Sequence, residues 1–201
     1  MPISTKKEKM PQTQPTSQSG VADVAGRKNQ ADAHTSVQRL VFSAFIIALY
    51  AVIMYCTQSF AFGAYQIRIA TALYAMAYLC PYLIVPLGLS NLLCNLLCGG
   101  LGIIDVIGGG LVGILTASLA YLVRRLGLNE WLVALPILLV PGLGVASWLS
   151  YLLGVPYPAL ALSLCIGQAV PAVVGVLLIK ALKSRLAVLR GPFSGLFDYR
   201  R

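Results

Sequence analysis

Charge is what this sequence has least of. Only 10% of its 201 residues are charged, with 15 Lys and Arg against 6 Asp and Glu. A water-soluble domain carries roughly a quarter charged residues, so a soluble globular fold is excluded. Histidine is nearly missing too: the one copy, His34, lies in the N-terminal segment. There is no histidine pair, no paired carboxylate inside an apolar segment and no Gly-x-Ser-x-Gly, so a membrane enzyme would lack its chemistry. No Walker motif is present, so the chain does not hydrolyse ATP by itself. Its two halves show no internal repeat, which argues against a self-sufficient secondary transporter.

What the sequence does have is hydrocarbon. Hydrophobic residues make up 58% of the chain, arranged in long runs, and this marks an integral membrane protein. The formal net charge of +9 raises the question of a nucleic-acid partner. The basic residues form no patch with interleaved aromatics, however. They gather in the N-terminal segment (Lys6, Lys7, Lys9, Arg27, Lys28, Arg39), at Arg124 and Arg125, and from Lys180 to Arg201. Basic clusters flanking apolar spans mark the cytoplasmic ends of helices. Cys56, Cys80, Cys94, Cys98 and Cys165 all lie in or beside apolar segments. Cys94 and Cys98 are one helical turn apart, but a metal site needs further ligands. They are read as small packing residues, and no metal or cofactor is expected.

Three regions follow from the composition. Residues 1–36 are rich in Ser, Thr, Gln, Pro, Ala and Lys without apolar periodicity, and are expected to be a disordered cytoplasmic tail. Residues 37–186 form an all-α membrane domain, and 187–201 a basic cytoplasmic tail. The first apolar run begins near Leu40, too late for a secretory signal, so it is read as a retained helix over 40–57. The stretch from Ile69 to Cys98 would make one helix about 45 Å long, too long for a core of roughly 30 Å. Pro81 and Pro86 offer a break, giving two helices, the second of them short. Further spans are expected at about 103–122, 131–153 and 159–182. Six spans with both termini in the cytoplasm put every Lys and Arg but one inside, as a plasma-membrane protein requires. Five would strand Arg124 and Arg125 outside.

The exception is Arg68, in "FGAYQIRIATALYAM". A guanidinium stays charged, so its place beside hydrocarbon needs a reason. The six-span topology sets Arg68 on the outer side together with Asp105, the only acidic residue in the apolar spans. Phe62, Tyr65 and Gln66 meet the same boundary, with Asn91, Asn95 and Gln168 close to it. Two readings stand. Aromatics could stack on a flat ligand while Arg68, Asp105 and Asn95 read its edges, with Gln66, Tyr65 and Gln168 alongside. Alternatively Arg68 snorkels or pairs with Asp105, and the asparagines bond between helices. Their clustering on one leaflet favours the pocket. A second signal is small residues at helical spacing: Ala44 and Ala48 in the first span, Gly109, Gly113 and Ala117 in the fourth. Each lets another helix approach closely.

These residues carry a resemblance. "FGAYQIRIATALYAM" and "NLLCGGLGIIDVIGGGLVGILTASLAYLVRR" are similar to the QueT group of substrate-binding S-components of energy-coupling factor (ECF) transporters, over roughly Leu40 to Leu186. The most specific piece is Asn-Leu-Leu followed by Gly-x-Leu/Ile-Asp. The resemblance implies a six-helix protein that binds a queuosine precursor, a deazaguanine, from outside. It also implies partners: a transmembrane coupling subunit, contacted at Ala44 and Ala48, and two cytoplasmic ATPase subunits. Two positions depart from the family pattern, which has glutamates where this chain has Thr71 and Gln168. An aminomethyl cation would miss both, so a neutral precursor or another flat, vitamin-like heterocycle fits equally. The reading from another class is an assembly subunit of a membrane complex without a small ligand.

Overall fold

The computed structural model describes the backbone of residues 18–61, 66–98 and 100–188, and side chains from residue 33 to 185 within these ranges. The chain divides into two units, Met1–Val37 and Gln38–Arg201. In the first unit the described residues are helical, as the start of α1 (Gln18–Cys56). The stretch expected to be unstructured is thus a helix from Gln18 onward. Ala22, Ala25, Ala31 and Ala33 favour the helix, and no proline falls in this stretch. Extending a helix already nucleated in the apolar run also costs far less than starting one.

The second unit is an all-helical bundle. After α1 come α2 (Gln58–Ala61), a ten-residue 3-10 helix (Ile69–Tyr78), a 3-10 turn (Pro81–Leu83), α3 (Ile84–Cys98) and α4 (Ile103–Arg125). A 3-10 turn (Glu130–Val133), α5 (Ala134–Leu153) and α6 (Tyr157–Val188) complete it. Among the described residues five helices are long and apolar enough to cross a membrane, and Ile69–Tyr78 is a shorter apolar one. The chain is therefore a multi-pass membrane protein. The break near Pro81 is where the sequence places it, but the short piece is the first of the two rather than the second. Pro81 stands at the first position of a new helical turn, where its missing N–H is no loss.

Local signals explain the helix ends. α4 starts after Gly102, whose φ of 105° suits glycine, with Asp105 in its first turn and Arg124 and Arg125 in its last. Both charges complement the helix dipole. The Asn129 side chain accepts a hydrogen bond from Trp131 N (3.1 Å) ahead of α5, and Gly154 ends α5 in the left-handed conformation (φ 65°).

The 3-10 helix Ile69–Tyr78 is the axis of the unit: every residue from Ala70 to Tyr78 is buried, and α3, α4, α5 and α6 all pack against it. Four alanines keep it thin, and glycines receive it. A Cβ on Gly175 of α6 would stand 3.1 Å from Ala72 O, and one on Gly113 of α4 only 3.0 Å from Tyr74 Oη. α1 reaches the same core through Ile46, Tyr50 and Met54.

Cations collect at one end. Arg39 lies over the Tyr82 ring (5.4 Å), Lys180 over Trp131 (4.3 Å) and Lys183 over Tyr78 (4.8 Å). Arg124 Nη1 donates to Tyr78 O (3.1 Å) and Leu79 O (3.3 Å), closing the 3-10 helix at its C-terminus. Lys183 donates to Glu130 in an ion pair. The opposite end holds Arg68.

Candidate functional site at the Arg68 end

The 3-10 helix decides which side chains meet. At three residues per turn, positions i, i+3 and i+6 lie in one row; an α-helix would fan them out. Arg68, Thr71 and Tyr74 form that row, and all three line one cavity, as do Gln66, Asn91 and Gln168. The cavity measures about 10 Å³, the room of roughly one water. Apolar side chains of α4, α5 and α6, including Pro141, close the rest of the wall.

Arg68 is 4% exposed. Its Nη1 donates to Asn95 Oδ1 (3.1 Å) and Asn91 Oδ1 (3.3 Å). Each asparagine is held in turn by a donation to the α4 backbone, Asn91 Nδ2 to Gly109 O (2.7 Å) and Asn95 Nδ2 to Asp105 O (3.0 Å). The four-residue spacing puts both amides on one face of α3. Gly109 makes room for them, since a Cβ there would lie 2.3 Å from Asn95 Nδ2. Thr71 Oγ1 lies 2.7 Å from Arg68 O and 2.8 Å from Gln168 Oε1, and donates its one proton to either. Tyr74 and Tyr50 share a hydroxyl hydrogen bond of 3.3 Å, which joins α1 to the cavity wall.

Asp105 is 2% exposed but is not a lining residue. Its Oδ1 accepts from Trp148 Nε1 (3.0 Å) and its Oδ2 from Leu101 N (3.2 Å). The link between Asp105 and Arg68 runs through the Asn95 amide rather than through the carboxylate.

Of the residues picked from sequence, Arg68, Gln66 and Gln168 line the cavity, Asn95 holds Arg68, and Asp105 braces α5. Gln66 stands at φ 42°, a left-handed conformation that costs a non-glycine residue roughly 1–2 kcal/mol. Tyr65 and Phe62 lie outside the described residues. Tyr74 and Trp148 went unpicked. The threefold spacing of Arg68, Thr71 and Tyr74 was visible, but it has meaning only on a 3-10 helix. Away from the cavity, Ala44 and Ala48 are both exposed on α1, next to exposed Val41, Phe45 and Val52. Gly109, Gly113 and Ala117 are buried, as a packing stripe requires.

A bundle of apolar helices around a buried polar row defines a multi-pass membrane protein. The QueT transporter family model matches residues 40–184, nearly all of the membrane domain. The chain belongs to the QueT transporter family, and its role is transport rather than catalysis. No curated protein matches the chain, and no solved structure does.

Proposed function

We propose that this protein is the substrate-binding S-component of an ECF-type importer and takes up a queuosine precursor, a deazaguanine. The observation that carries the reading is the buried row Arg68, Thr71 and Tyr74 with Asn91 and Gln168, in a chain of the QueT transporter family. These groups offer a cation, two carboxamides, a hydroxyl and a phenol, which suit the hydrogen-bonding edges of a flat heterocycle.

Arg39, Arg124, Lys180 and Lys183 meet at one end, so the positive-inside rule puts that end in the cytoplasm and the Arg68 end outside. Ligand pockets span about 300–1,000 Å³, so the walls of the 10 Å³ cavity part to admit a ligand. The exposed Ala44 and Ala48 on α1 suit close approach by a transmembrane coupling subunit, which two cytoplasmic ATPase subunits would drive.

Calorimetry of the purified full-length protein against a panel of deazaguanines and other vitamin-sized heterocycles tests the reading. One-to-one binding of a deazaguanine supports it. Binding of another heterocycle keeps the transport role and changes the cargo. Silence across the panel favours an assembly subunit in which the Arg68 network only joins helices.

A further inference from the structure

Two phenols meet at the cavity wall, and their protons outnumber their partners. Tyr74 is the third member of the 3-10 row and lines the cavity, whereas Tyr50 of α1 is not among the lining residues. Both side chains are fully buried. Their hydroxyls are 3.3 Å apart, and their rings lie 6.0 Å apart at an angle of 34°. Tyr50 shares its face of α1 with buried Ile46 and Met54, one helical turn to either side. On α4, a Cβ at Gly113 would stand 3.0 Å from the Tyr74 oxygen, so that side of the phenol is closed. Each phenol carries one proton and can also accept. The pair therefore holds two protons and one hydrogen bond. Among the described residues neither hydroxyl has another hydrogen-bond partner.

Which hydroxyl donates decides where the spare proton goes. If Tyr74 donates, the spare proton is on Tyr50, buried in the apolar core, where an unmatched donor is costly. If Tyr50 donates, the spare proton is on Tyr74, and an acceptor in the cavity can take it. We propose that Tyr50 is a positioning residue: it donates to Tyr74 and so makes Tyr74 a hydrogen-bond donor to a carbonyl oxygen of the ligand. This deepens the deazaguanine reading above and rests on it. The chain runs from the Tyr50 hydroxyl to the Tyr74 hydroxyl to the ligand carbonyl, and each bond polarises the next. No proton changes owner. A ligand N–H at this point would leave one phenol proton unmatched, so the pair selects an acceptor.

The test compares a deazaguanine with its thiocarbonyl analogue, which replaces the oxygen by sulfur, a weak acceptor, and keeps every ring N–H. Dissociation constants are measured by calorimetry on the purified full-length protein. Wild type is expected to bind the carbonyl compound about tenfold more tightly, and Tyr74→Phe should erase that preference. Tyr50→Phe leaves the Tyr74 oxygen in place, so a purely steric role predicts an unchanged preference. Positioning predicts carbonyl binding weaker by about threefold and a smaller preference. In a Tyr74→Phe background, Tyr50→Phe should then have no further effect on affinity. Equal wild-type affinities for the two compounds would overturn the donor assignment and leave the deazaguanine reading in place, and that comparison needs no variant to fold. A Tyr50→Phe loss that is the same for both compounds, or undiminished without the Tyr74 hydroxyl, would overturn the positioning role. Failure of both compounds to bind wild type would overturn the deazaguanine reading as well.

Discussion

Arg68 shows how polar side chains hold a buried charge in a membrane bundle. Two asparagines on α3 turn their oxygens to it, and α4 backbone carbonyls fix the other ends of both amides. Each link is modest, since interhelical hydrogen bonds in membranes average about 0.6 kcal/mol and reach about 1.7. Replacing Asn95 by Leu removes two of them and should cost about 1–3 kcal/mol, read as a lower unfolding midpoint in detergent. Trp148→Phe keeps an aromatic side chain but removes the pyrrole part of the indole and with it the donor to Asp105 Oδ1. It is expected to cost about 1.5–3 kcal/mol, because a buried carboxylate is left short of a hydrogen bond. Gly109→Ala acts on the same amide. Its Cβ would fall 2.3 Å from Asn95 Nδ2, the movable tip of a side chain. The amide swings away and gives up the same two hydrogen bonds, so stability should fall by about 1–3 kcal/mol as for Asn95→Leu, and affinity for the proposed deazaguanine about tenfold, near 1.4 kcal/mol.

At the scale of elements, the central 3-10 helix is the unusual feature. Runs of this helix beyond three or four residues are uncommon because its hydrogen-bond geometry is poorer, yet this one extends over ten. It survives because four long helices enclose it and Arg124 closes its last turn. The enclosure depends on glycines. At Gly88 a Cβ would lie 2.3 Å from Ile114 Cγ1 and 3.0 Å from Gly110 O, so α3 and α4 touch backbone to backbone. Gly88→Ala should therefore separate them and destabilise by about 1–3 kcal/mol. Two helices also carry internal prolines, Pro141 in α5 and Pro171 in α6. Each removes one backbone hydrogen bond from its helix, and Pro141 itself lines the cavity wall.

For the whole molecule, the cations define a direction. Arg124, Lys180 and Lys183 come from two helices and meet around Tyr78 and Trp131. Single cysteines placed on an otherwise cysteine-free protein read that direction out. An impermeant maleimide added to intact cells should label Gln58→Cys, near the Arg68 end, and leave Arg125→Cys unlabelled until the membrane is opened. The reverse pattern would put the cavity on the cytoplasmic face and remove import from outside as its purpose.

Composition alone determined that this chain lives in a membrane. The scarcity of charge leaves no soluble alternative. Arg68, Gln66 and Gln168 could be singled out because polar groups amid hydrocarbon need a reason to be there. Helix type was not legible, because an alanine-rich apolar stretch such as Ile69–Tyr78 satisfies an α-helix and a 3-10 helix alike, and only the surrounding helices choose between them. That choice brought Tyr74 into the row with Arg68 and Thr71. The destination of Asp105 was hidden for a related reason. A carboxylate at the head of α4 can face the cavity or the neighbouring helix, and the position of Trp148 on α5, 43 residues away in sequence, turned it toward the helix.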